Sequence, residues 1–128
     1  MSNRQTINTD KAPRAIGTYS QAVKAGTTVY ISGQIPLVAK TMELLEGSFK
    51  EKTRLCFENL KAIAMAAGGT LDDAAKVTIF LTDMANFAEV NEVMAEFFKQ
   101  PYPARAAVGV KELPKGVPVE VEAILELK

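Results

Sequence analysis

Apolar positions along this 128-residue chain switch between two periods, and the switches mark its elements. Thr27-Thr28-Val29-Tyr30-Ile31-Ser32 has the β-branched and aromatic content of a strand and stops at Gly33. From Ser48 to Ala67 the period lengthens: Phe49, Cys56, Leu60, Ile63 and Ala67 follow at spacings of seven, four, three and four, one stripe of a helix. Ser48 with Glu51 three residues on is a capping-box pattern, and Gly68-Gly69 supplies the stop. Alternation returns in Lys76 to Thr82, with Val77, Ile79 and Leu81 on one side. A second helical stripe follows at Phe87, Val90, Met94, Phe97 and Phe98, capped by Asp83 or Asn86 and ended by Pro101 and Pro103. Arg105 to Val110 then reads as a strand, Leu113-Pro114-Lys115-Gly116 as a turn and Val117 to Leu127 as the last strand. The segment before Thr27, with Pro13, Gly17 and Thr18, reads as loop.

Strands, helix, strand, helix and two strands make an α+β order, and two amphipathic helices cover only one face of a sheet of this size. The expected bare face carries Arg105, Ala107, Gly109, Glu120 and Glu122 together with Phe80 and Ile124. Its apolar residues favour burial against another subunit, so a homo-oligomer is expected, with Arg105 and Glu120 near the contact. The length fits one domain, 1–128.

Fifteen basic residues balance fifteen acidic ones without a block of either sign, which argues against nucleic acid and an anionic membrane surface as partners. The first residues lack an apolar leader and no stretch is long enough to span a bilayer, so a cytoplasmic protein is expected. The chain has no histidine and one cysteine, Cys56, which lies on the first apolar stripe and reads as core. Histidine bases, Cys-His pairs, Cys/His zinc sites and an intrachain disulfide are thereby excluded within one chain, and no metal is expected. Any catalysis is left to carboxylates, arginine, lysine, hydroxyls, backbone groups and water.

Arg105 interrupts the run Tyr102-Pro103-Ala104-Arg105-Ala106-Ala107-Val108-Gly109-Val110. On a strand it shares its side with Ala107 and Gly109, almost no side-chain volume, where a guanidinium suits a carboxylate or phosphate. An internal salt bridge is the alternative. Glu120, on the next strand across a short turn, is a possible acid, base or water-positioner: direct contact with Arg105 makes a structural pair, a water-filled gap a ligand site. Asn91, one turn after Phe87, is either a site residue or a helix-surface hydrogen bonder. Ser32-Gly33-Gln34 ends a strand where a glycine admits a ligand to backbone N–H groups, or simply turns the chain. Tyr19 lines a pocket or packs.

Taken together, several short segments carry a resemblance over nearly the whole chain. They are Lys11-Ala12-Pro13, Ala15-Ile16-Gly17-Thr18-Tyr19-Ser20-Gln21-Ala22, Ser32-Gly33-Gln34-Ile35-Pro36, Asn59-Leu60-Lys61-Ala62-Ile63 with Ala66-Ala67-Gly68, Val90-Asn91, Tyr102-Pro103-Ala104-Arg105, Leu113-Pro114-Lys115 and Val119-Glu120-Val121-Glu122-Ala123. In order and spacing they resemble the Rid, or YjgF-like, family of reactive intermediate deaminases, in its deaminating RidA-type branch. The resemblance implies a chorismate-mutase-like mixed β-sheet backed by two α-helices on one face, in a homotrimer with sites between subunits. It implies hydrolysis of 2-aminoacrylate/2-iminopropanoate and 2-iminobutanoate, products of pyridoxal-phosphate-dependent serine and threonine dehydratases, to the 2-oxo acid and ammonia, without a cofactor. Arg105 then binds the substrate carboxylate with the N–H groups of Gly33 and Ala107, and Glu120 positions the attacking water. Tyr19, Ser32, Phe87 and Asn91 line the pocket. Two positions depart from the commonest pattern: Thr18 stands where many members have proline, and Ala107 where many have cysteine, a change that leaves the backbone N–H in place. A non-catalytic, small-carboxylate-binding regulatory trimer is the second reading, and ribonuclease, translation-inhibiting or chaperone-like activity a third.

Overall fold

Ser48 opens the first helix as its pattern predicts: its hydroxyl accepts the Glu51 N–H at 3.1 Å while the Glu51 carboxylate accepts the Ser48 N–H at 2.9 Å. The helix, α1 (Phe49–Ala66), closes in a Schellman turn, with Gly69 N–H bonded to Ala64 O, Gly68 N–H to Met65 O, and Gly68 at φ 92°. The structure is a computed structural model that describes residues 3–128. Its strands are β1 (Arg4–Ile7), β2 (Ala22–Ala25), β3 (Thr28–Gln34), β4 (Ala74–Leu81), β5 (Ala104–Gly109) and β6 (Val119–Glu126), and the second helix is α2 (Phe87–Phe97).

The strands form one mixed sheet in the order β1-β2-β3-β6-β4-β5, antiparallel throughout except for the β4–β5 pair. A parallel pair needs a crossover, and α2 supplies it. On one face the alternation is complete: Val77, Ile79 and Leu81 of β4 and Val119, Val121 and Leu125 of β6 are fully buried, packed with Phe57, Leu60 and Ile63 of α1 and Val90 and Val93 of α2. Tyr30, Ile124, Phe80 and Val108 stand on the other face, and Tyr30 remains 51% exposed. The expected α+β sheet backed by two helices is therefore the observed one.

Several local expectations need correction. The opening segment is not all loop, because β1 and β2 add an antiparallel ribbon to β3 through a turn at Gly26, whose φ is 63°. Both strands are four residues long and contain lysine, alanine or glutamine, a weak strand signal. Asp83, not Asn86, caps the approach to α2, accepting the Ala85 N–H at 2.9 Å ahead of a short 3-10 turn; Asn86 makes no side-chain cap. The larger correction concerns Arg105. Register pairs Arg105 with Val77 and Ala107 with Ile79, so these residues stand on the helix side of the sheet, whereas Glu120 pairs with Phe80 and stands on the bare side. Strand β4 also separates the two, so they are not on adjacent strands.

Candidate functional site

The loop from Thr9 to Ser20 is held to the sheet by one buried amide. Gln21 accepts the Thr9 N–H at 2.7 Å and donates from Nε2 to the carbonyls of Thr9, Ala12 and Pro13 at 2.9, 3.3 and 2.7 Å. Ser32 adds a second tie, its hydroxyl donating to Ser20 O at 2.6 Å and its N–H to Gln21 O. These bonds fix one wall of a cavity of about 560 Å³, to which Tyr19, Ser32, Gly33 and Glu120 contribute, together with Arg14, Lys115 and Glu122.

Inside it, the Glu120 carboxylate lies directly over Gly33. A Cβ built on Gly33 would stand 2.2 Å from Glu120 Oε2, so the close approach requires glycine. Gly33 falls where the β3–β6 register shifts between Ile31 and Gln34, a bulge that makes room for the carboxylate. Burial raises the proton affinity of Glu120 above that of an ordinary carboxylate, and repulsion from Glu122 adds to the rise. A carboxylate whose proton affinity is raised is a stronger proton acceptor than an ordinary one. Cys56, behind the same strand, is fully buried, and burial holds its thiol protonated.

Arg105 occupies a second cavity of about 410 Å³, lined by Asn91, Met94, Phe98, Tyr102 and Pro103. Its Nη1 donates to Asn91 Oδ1 at 2.7 Å and to Met94 Sδ at 3.7 Å, and its guanidinium carbon lies 4.9 Å from the centre of the Phe87 ring. The stack and the two bonds hold the guanidinium on the face of α2 while the other N–H groups of the fork have no partner among the described residues. No carboxylate pairs with it among the described residues, so the internal salt bridge is not formed.

The eight residues singled out from the chain thus separate. Tyr19, Ser32, Gly33 and Glu120 share the first cavity, Asn91 and Arg105 share the second with Phe87 stacked alongside, and Ala107 lines neither. Register puts Arg105 and Glu120 two interstrand steps and three residues apart, about 14 Å between Cα atoms, with side chains on opposite faces. Within one chain the two cannot touch the same small ligand. Sequence reasoning missed Met94 as a contact of Arg105, Gln21 as the anchor of the loop, and Arg14 and Lys115 as cavity residues. Only Lys115 carried a signal, its place in a Pro-Lys-Gly turn.

Comparison with known proteins agrees with this architecture. A family model described as Endoribonuclease L-PSP matches residues 9–127. A 2-iminobutanoate/2-iminopropanoate deaminase of Dermatophagoides farinae is 44% identical, covering 100% of both chains. A RutC family protein of Pyrococcus horikoshii is 52% identical over 94% of this chain and 96% of its own length. Among solved structures, RidA from an Antarctic Psychrobacter superposes with a TM-score of 0.93 at 58% identity, covering 96% of this chain and 99% of that one. Escherichia coli TdcF with bound serine gives 0.92 at 43%, covering 97% and 99%.

Proposed function

The chain belongs to the Endoribonuclease L-PSP family, the Rid or YjgF-like proteins, whose members include imine deaminases, and from that membership we propose that it hydrolyses 2-iminopropanoate and 2-iminobutanoate. The observation that carries the reading is the Glu120 carboxylate, half-buried over Gly33 with its proton affinity raised, in a cavity that also holds Tyr19 and Ser32. Arg105 binds the substrate carboxylate through the free part of its fork. Glu120 accepts a proton from water as the water oxygen bonds to the carbon of the protonated C=N group. It then returns that proton to the nitrogen of the tetrahedral adduct; as the C–N bond breaks, Glu120 takes the proton of the adduct's hydroxyl and passes it to the departing ammonia, so that the 2-oxo acid and ammonium leave and the carboxylate is restored. A protonated imine is electrophilic already, so no covalent nucleophile is needed and alanine at position 107 is no obstacle.

The separation of Arg105 from Glu120 supports a homotrimer in which Arg105 of one copy meets Glu120 of the next. The apolar residues of the bare face, Tyr30, Phe80, Val108 and Ile124, suit such a contact. Pyridoxal-phosphate-dependent serine and threonine dehydratases release imines of this class and are the expected suppliers. The test is competition: with semicarbazide trapping the imine released by a dehydratase, the protein should accelerate 2-oxo acid formation, and absence of acceleration rejects the reading. Mixed assembly tests the shared site. Arg105→Ala and Glu120→Gln chains, each inactive, should regain about a quarter of wild-type activity when refolded together as random trimers; no recovery rejects sites built across copies.

Serine bound in Escherichia coli TdcF favours a second reading, a non-catalytic trimer that senses small carboxylates. The competition assay separates the two, since a sensor binds without accelerating release.

A further inference from the structure

Arg14 and Lys115 line the Glu120 cavity, and the deaminase reading gives them no task. The ion pairs among the described residues join Lys50 to Glu92 and Arg54 to Glu96, and neither cavity cation takes part in one. Their backbones are nevertheless fixed. Arg14 follows Pro13, whose carbonyl accepts from the buried Gln21 amide at 2.7 Å. Lys115 sits in a turn closed by the Gly116 N–H to Leu113 O bond, in the left-handed region at φ 57° and ψ 18°. A residue with a Cβ rarely adopts that conformation and a glycine would adopt it freely, so the lysine at this position is one whose side chain invites a role.

Volume agrees. At about 30 Å³ per water-sized group, a six-heavy-atom imine such as 2-iminopropanoate would fill roughly a third of the cavity of about 560 Å³. Space remains beyond the reacting carbon, and the cavity wall offers two cations, Arg14 and Lys115, with Glu122 as the one acidic side chain there besides Glu120.

We propose that Arg14 and Lys115 form a second anion subsite in this cavity, and that the chain accepts 2-imino acids bearing a further, side-chain carboxylate. The inference rests on the deaminase reading: Arg105 takes the carboxylate next to the C=N group, Arg14 and Lys115 take the distal one, and Glu120 serves the carbon between them. The reaction is the same hydrolysis, water in and ammonia out, with no additional reactant.

The test compares 2-iminoglutarate with 2-iminobutanoate, each generated in place by an amino-acid oxidase with catalase present and trapped competitively by semicarbazide. Arg14→Gln combined with Lys115→Asn, the latter chosen because asparagine tolerates the left-handed region, should lower the kcat/KM ratio of dicarboxylate to monocarboxylate at least tenfold. A ratio within twofold of wild type overturns the subsite. A binding arm separates the fate of the subsite from that of the deaminase reading. By calorimetry at low salt, 2-oxoglutarate should bind the wild-type protein at least tenfold tighter than 2-oxobutanoate and lose that margin in the double variant. Equal affinities for the two oxo acids overturn the proposal even if imine hydrolysis is observed. If hydrolysis fails while 2-oxoglutarate keeps its margin, the deaminase reading falls and the anion subsite stands.

Discussion

Gly33→Ala isolates the proposed chemistry of Glu120 from the stability of the fold. Gly33 lies outside the left-handed region, so alanine meets no backbone penalty there. Its methyl group would instead stand 2.2 Å from Glu120 Oε2, 2.9 Å from Cδ and 3.2 Å from Cγ. Ordinary contact begins at 3.4 Å, so the carboxylate must retreat by about 1.2 Å. It is the end of a flexible side chain, and a rotamer displaced that far costs about 0.5–1.5 kcal/mol, which should lower the unfolding midpoint only slightly. Catalysis is far less tolerant: a misplacement of about 1 Å can cost about 100-fold, equivalent to about 2.7 kcal/mol of barrier. The assay is semicarbazide competition on 2-iminobutanoate alongside thermal unfolding. Expected are a kcat/KM reduced about 100-fold and a nearly unchanged melt, with no further loss when Gly33→Ala is added to Glu120→Gln, because both changes act through one group. A Gly33→Ala protein with activity within threefold of wild type would refute the role given to Glu120.

On the proposed mechanism, Arg105→Ala removes two charge-assisted hydrogen bonds to the substrate carboxylate, each contributing about 1.5–3 kcal/mol, and should lower kcat/KM by roughly 10²–10⁴; a loss under threefold removes the clamp. Glu120 has a folded-state pKa raised by burial and by Glu122, so its contribution to stability is complete below the unfolded carboxylate value and is lost as pH rises through the folded one. Glu120→Gln should therefore raise the unfolding midpoint relative to wild type at pH 7, with the gain vanishing toward pH 4; a difference independent of pH refutes the assignment. Gln21→Leu leaves buried carbonyls of the loop without donors, at about 1–3 kcal/mol for each one lost, and should lower the urea midpoint while weakening catalysis through the loosened wall carrying Arg14 and Tyr19. An unchanged midpoint would show that the loop is held by other contacts.

The helices were legible because their signals are local: the capping box, the paired glycines and the spacing of Leu60, Ile63 and Ala67 lie within one element. β6 was legible for the same reason, since its valines and glutamates alternate without interruption. The faces of Arg105 and Glu120 were not. Each strand's alternation gives two sides, but which side meets the helices depends on register with another strand, a non-local property. Glu120 follows from its own strand, because Val119 and Val121 must be inside. In β5 the inward side carries Arg105, Ala107 and Gly109 and the outward side Ala106 and Val108, so the apolar rule points the wrong way. It fails there because β5 is a sheet edge, where α2 meets the strand with Phe87, Asn91 and Met94 and receives a stacked guanidinium as readily as an aliphatic chain.

That misread face changes the case for assembly. Had Arg105 and Glu120 shared the bare face on neighbouring strands, one chain would suffice for a ligand bound by both, and a subunit contact would only cover the site. Strand β4 prevents this: its parallel pairing with β5 demands the α2 crossover, and its antiparallel pairing with β6 turns Glu120 to the other face. The topology that builds the core therefore divides the two charged groups. On the proposed mechanism, imine hydrolysis needs both at one carbon skeleton, so oligomerisation becomes a condition of catalysis. Dilution below the dissociation constant of the proposed trimer should then abolish turnover in step with the loss of assembly measured by light scattering or sedimentation. Monomers that retain full activity would break the link between this topology and the shared site.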